Sequence, residues 1–286
     1  MKIQKGMRAL SLLMVLALAA AMFVPVVSAQ NLDTGREMTG TSIYEILGHQ
    51  APVITKGPQW QTYDQKSESI DKLVSLSKLK IGKDQIIGYI EGGDEKALLY
   101  NVNEDNFNII LESDGIISIE KAEVKDLGSK VITSPARDGM PETTTEYSLK
   151  EIDFPDTLSK EFGSKSVYAA TITRTDEWIY LGVTSATLYT KGTFTYDYGS
   201  QILGISDSTY TSQGVGFVRC DFDHSTRITG ITGYIESDVI WAWWAPSPPK
   251  HSVDAWISCN YYGSTDGDSN HSDWVAIAGM GCDSVP

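Results

Sequence analysis

Trp241, Trp243 and Trp244 stand together ahead of Pro246, Pro248 and Pro249, and Trp256, Tyr261, Tyr262 and Trp274 follow. In an extended chain alternate side chains share a face, so Trp241 and Trp243 can lie side by side. Flat indole rings stack on the apolar faces of sugars, which makes this pair the expected platform for a glycan or cell-wall polymer. The same rings would serve equally as sheet core, because each buries a large apolar area.

The stretch Asp266-Gly-Asp-Ser-Asn-His-Ser-Asp273 places oxygen-bearing side chains at alternate positions. Hard cations need a cage of oxygens, so Asp266, Asp268 and Asp273 are candidate calcium ligands. The EF-hand pattern fails in two places, with His271 at the turn glycine and Ile277 at the bidentate glutamate, and a solvated polar turn accounts for the same residues. Asn270-His271-Ser272 reads as a glycosylation sequon, which makes Asn270 a modification candidate on a surface loop.

Cys220, Cys259 and Cys282 are the three cysteines. An oxidising exterior favours one bridge among them and one residual thiol, with Cys259–Cys282 and Cys220–Cys259 among the pairings. Asp221, Asp223 and His224, with His251 and Asp254, match no zinc spacing and are expected in a surface turn. A nucleophile elbow, zincin helix, phosphate loop and dinucleotide fingerprint are all missing, so no catalytic residue is assigned.

These residues sit behind an export signal. Lys2, Lys5 and Arg8 precede an apolar run from Leu10 to Val27, and Val27 and Ala29 fit a small-residue cleavage site. Cleavage between Ala29 and Gln30 is expected, leaving a secreted or cell-surface product without a membrane anchor. The formal net charge of the chain is −14, and loss of this basic segment makes it more negative. Such a surface repels phosphate backbones and anionic lipids, which argues against nucleic-acid and membrane partners.

Six of the seven tryptophans and all the cysteines lie after residue 166, whereas most of the charge lies before it. The expected organisation is a signal peptide at 1–29, a poorly ordered segment at 30–60, a small α+β domain at 61–132, a linker or boundary at 133–166, and a β-domain at 167–286. Ile70, Leu73, Val74 and Leu76 recur at helical spacing and predict a helix over 65–79. Gly92-Gly93 and Asp114-Gly115 separate apolar runs as hairpin turns do. Beyond 167, Thr-, Tyr- and Val-rich runs at 167–173, 178–183, 186–198, 201–206, 215–222, 227–235, 239–244, 253–262 and 274–278 read as short strands. The expected fold class is therefore mainly β: a C-terminal antiparallel sandwich, or a barrel, preceded by a small α+β domain.

The function expected from these features is that of a non-catalytic binding or interaction module that takes a glycan or cell-wall polymer, with calcium as the one cofactor suggested. Two alternatives are a precursor that sheds a charged pro-region from the β-domain, and a polysaccharide or peptide hydrolase.

Overall fold

The computed structural model describes residues 40–54, 57–103, 106–135, 142–154, 162, 166–180, 183–214, 217–243 and 250–271. The side chains at 179–180, 183–185, 243 and 250 fall outside the description. The cleavage site at Ala29 and Gln30, the ligand candidate Asp273 and Cys282 also lie outside the described residues.

The fold is mainly β, and the three sheets among the described residues are antiparallel. A four-stranded meander comprises β2 (Ile86–Gly92), β3 (Glu95–Asn103), β4 (Asn106–Ser113) and β5 (Ile116–Lys121). The central sheet runs in the order β10-β9-β8-β7-β6, with strands Gln201–Asp207, Val183–Asp197, Val167–Tyr180, Thr143–Asp153 and Glu123–Ser134. A sixth strand in this sheet, β11 (Tyr210–Gln213), extends the edge of β9 beyond the end of β10. The third sheet orders β1 (Thr41–Ser42), β15 (Ser264–His271), β14 (Lys250–Asn260), β13 (Thr232–Trp243) and β12 (Phe217–Thr229). None of the three closes into a barrel.

Side-chain alternation stacks these sheets in layers. On β8, Tyr168, Ala170 and Ile172 point one way and meet Phe194 and Tyr196 of β9 with Ile235, Ile257 and Cys259 of the five-stranded sheet. The two sheets thus face each other in a sandwich-like pair, extended at its far end by Leu188, Val239, Trp241 and Val253. Val167 and Ala169 point the other way, and with Ile152 and Leu203 they pack against Ile90, Leu99, Phe107 and Ile109 of the meander. The outer face of the meander carries Tyr89, Leu98 and Ile110, covered by Ile70 and Leu73 of the helix Tyr63–Ser77.

That helix lies close to its predicted span. It begins where the backbone N–H of Thr62 donates to Gln65 Oε1 at 2.8 Å, and it ends at Lys78 in the left-handed region. The meander follows the predicted hairpins, with Asp114 and Gly115 both at positive φ.

Two expectations need revision. The segment 133–166, read as a linker, carries at Thr143–Asp153 a strand paired on both sides, to β6 and β8. Its Leu149 and Ile152 are fully buried, so the central sheet draws strands from both halves of the sequence. Within the span read as poorly ordered, Ile43–Leu47 forms a short helix that buries Ile43 and Tyr44 in the sandwich core. Tyr44 Oη lies 3.0 Å from Tyr196 Oη, and Ile43 N–H donates to the Gly263 carbonyl. A side chain at Gly263, whose φ is 71°, would collide with both tyrosines.

Candidate functional site

Trp241 is 2% exposed and packs among Phe217, Val239 and Val253. This overturns the expected stacking pair: the strand periodicity was right, but the face that Trp241 occupies is the inner one. Trp243 continues β13 opposite Phe217, and its ring lies outside the description.

The stretch read as a calcium loop is strand β15 as far as His271, paired to β14 along its length. Asp266 and Asp268 each accept a hydrogen bond from the following backbone N–H. Among the described residues no group of three His, Cys, Asp or Glu side chains is placed to hold a metal. Asn270 is exposed near the end of this strand, in register with Asp254. Cys259 is a fully buried free thiol, which excludes both bridges drawn through it. Asp221, Asp223 and His224 sit on β12 rather than in a turn, and His224 Nδ1 meets Asp207 Oδ2 at 2.6 Å.

Chemistry collects instead at two places that the sequence reading passed over. The first is a buried polar cluster joining β8 to β15. The Arg174 guanidinium reaches Asp176 through Nε at 3.1 Å, the Gly267 carbonyl at 3.2 Å and Ser269 Oγ at 2.8 Å. Ser269 in turn donates to Asp176 Oδ1 at 2.6 Å, and Thr143 Oγ1 donates to the same oxygen at 3.2 Å. Burial alone would push the Asp176 carboxyl up, but His271, Arg174 and Ser269 around it hold it below the usual aspartate range.

Ser269, His271 and Asp176 are the residue types of a hydrolytic triad without its geometry. Ser269 Oγ and Asp176 Oδ1 both approach the same imidazole nitrogen, Nε2 of His271, at 3.3 and 3.7 Å. The other nitrogen, Nδ1, lies 3.4 Å from His251 Nε2. A triad needs the imidazole between hydroxyl and carboxylate, one on each nitrogen. Here the hydroxyl bonds the carboxylate directly, which suits a clamp between sheets better than a nucleophile.

The second place is the face of the central sheet turned away from the sandwich core. Strand register sets Ser148 opposite Thr171, Thr171 opposite Thr193, and Thr193 opposite Ser206. Paired residues project to the same side, so four adjacent strands line up four hydroxyls in one row, spaced by about 4.8 Å. Thr171 Oγ1 and Thr193 Oγ1 approach to 2.7 Å.

This row is the floor of a cavity of 270 Å³. Ile86, Ile87 and Phe107 of the meander form an apolar wall above it, with Asp84 and Asn101 beside them, and Lys150 and Lys191 rise from the floor. The meander covers only part of the central sheet, and the groove forms where that cover stops. A hydroxyl floor under an apolar wall can hydrogen-bond the edge of a polyhydroxylated ligand while packing against its apolar face. Neither its strand order nor its register is visible in the sequence; the one available signal was the alternating threonines of 171–175 and 193–195.

The chain matches no protein-family model, no curated protein and no solved structure.

Proposed function

We propose that this chain is an exported, non-catalytic binding module that takes a neutral hydroxyl-rich ligand, a glycan, in the groove between the meander and the central sheet. The observation that carries this reading is the registered row Ser148, Thr171, Thr193 and Ser206 beneath the wall of Ile86, Ile87 and Phe107. A sugar offers hydroxyls on its edge and C–H groups on its face, and the groove answers each with its own kind. Export rests on the basic, apolar and small-residue layout of the first 29 residues. The net charge of −14 disfavours a polyanionic ligand. In this reading the helix and meander are the α+β part of the chain, the face-to-face sheets are a sandwich, and the ligand lies beside their shared sheet.

The test is calorimetry of the mature chain against a panel of neutral oligosaccharides, beside the double variant Thr171→Val, Thr193→Val. Valine keeps the shape and strand preference of threonine and deletes the hydroxyl. The expected result is at least a tenfold loss of affinity with little change in melting temperature. No binding by the wild type, or equal binding by the variant, would overturn the proposal.

A further inference from the structure

The face that floors the groove continues past it into the open. On β9 the residues Thr193, Lys191 and Tyr189 share this side by alternation, and Tyr189 lies about 13 Å along the strand from Thr193. Register then sets Thr144 beside Thr175, Thr175 beside Tyr189, and Tyr189 beside Tyr210 of β11. The last two rings stack with centroids 4.4 Å apart and planes 13° from parallel. Tyr210 is 48% exposed, so one flat aromatic face is already fixed by its neighbour while ring surface stays open to solvent. Between this row and the hydroxyl floor lie Glu146, Thr173 and Lys191, paired in register and likewise on the outer side, with Lys191 also lining the groove.

Resting on the groove reading above, we infer that the ligand is a polysaccharide rather than a small sugar: one part of the chain occupies the groove, and a further part crosses the open face to stack on Tyr210. Two features support an extended ligand. The hydroxyl-bearing rows continue without an apolar interruption from the groove to the tyrosine pair. The stacked pair also presents a rigid ring at the far end, where an apolar sugar face can lie on it at small conformational cost. A mono- or disaccharide held in the groove would leave that ring untouched.

The experiment measures binding of soluble neutral polysaccharides (hydroxyethylcellulose, mannan and laminarin) and of their disaccharides (cellobiose, mannobiose and laminaribiose) to the full mature chain. The proteins compared are wild type, Tyr210→Ala, Tyr210→Phe and the Thr171→Val, Thr193→Val double variant. The expected outcome for Tyr210→Ala is a tenfold or greater loss of polymer affinity with disaccharide affinity unchanged. Tyr210→Phe keeps the stack and should bind polymer within about twofold of wild type, and melting curves confirm that both variants fold. Polymer binding that survives Tyr210→Ala while the double threonine variant loses both ligand classes overturns the extended track and leaves the groove standing. A wild type that binds neither class overturns the groove and the track together.

Discussion

Asp238 on β13 faces Asp254 on β14 directly across the ladder, and Asp223 on β12 faces Asp238 from the other side. Three like-charged side chains thus form one row on the outer face of the five-stranded sheet. Partial desolvation, then Asp254, Asp223 and Glu236 around it, raise the Asp238 carboxyl above the ordinary aspartate value. A raised carboxyl costs the folded state most when it is ionised. The penalty is therefore present at neutral pH and is relieved as pH falls through the raised value. Asp238→Asn is expected to stabilise the protein by a few tenths of a kcal/mol at neutral pH, the scale of an exposed cross-strand pair. Thermal melts across the mildly acidic range should show that gain shrinking as wild type takes up its proton.

The Arg174–Asp176 pair carries the opposite pH signature. The Asp176 carboxyl titrates below its unfolded value, so its contribution is present above about pH 4 and is lost as acid protonates it. Both side chains are nearly inaccessible, at 8% and 0% exposure. Arg174→Met strands a buried carboxylate and is expected to destabilise by about 3–5 kcal/mol in denaturant unfolding. The variant Arg174→Met, Asp176→Leu should recover a substantial part of that loss, because no uncompensated charge remains. Equal stability of the single variant and wild type would contradict the clamp.

Trp241→Ala opens a cavity in the sandwich end lined by Phe217, Val239 and Val253. The expected cost is about 3–5 kcal/mol. Trp256 sits half-buried on the outer face near Tyr234, and its alanine variant should lose markedly less. Comparison of the two melts reads out which tryptophan is core.

Burial pushes the Cys259 thiol up, which keeps it protonated and unreactive in the folded protein. With Cys259 taken out, Cys220 and Cys282 are the pair left for a bridge, and closing a loop of that length is worth roughly 4 kcal/mol in the chain-entropy model. Alkylation of native protein should label no cysteine, and alkylation of unfolded, unreduced protein should label Cys259 alone. Two or three labels in the unfolded sample would show that the bridge is missing.

The contrast between what could and could not be read from the chain follows from where each signal resides. The helix at 63–77 and the meander turn at Asp114-Gly115 depend on local periodicity and on residues that tolerate positive φ, so they were legible. The hairpin at Gly230 was not, and 227–235 read as one strand although a turn divides it into β12 and β13. Strand β15, with the sequence Ser-Thr-Asp-Gly-Asp-Ser-Asn-His, has the composition of a loop and is a strand because β14 and β1 hold it on both sides. Its pairing overrides its weak intrinsic preference. Trp241 shows the limit of alternation: a period of two says which residues share a face, not which face meets the core. The hydroxyl row is a property of four registers at once, and no single segment contains it.

A sheet that serves as the common wall of two cores also changes what a protease could achieve. Strands β6 and β7 come from the acidic first half, yet β7 lies between β6 and β8, and Ile152, Val167, Ala169 and Leu203 are covered by the meander. Cleavage between residues 135 and 142 would break one peptide bond and leave ten ladder pairs between β6 and β7 in place. The pieces should elute together from a sizing column and separate only in denaturant. Release of a freestanding C-terminal module would require stripping a strand from an assembled sheet, so maturation by simple excision of the first half conflicts with this architecture. The two halves of the sequence form one folded object, and the groove takes its lining from both.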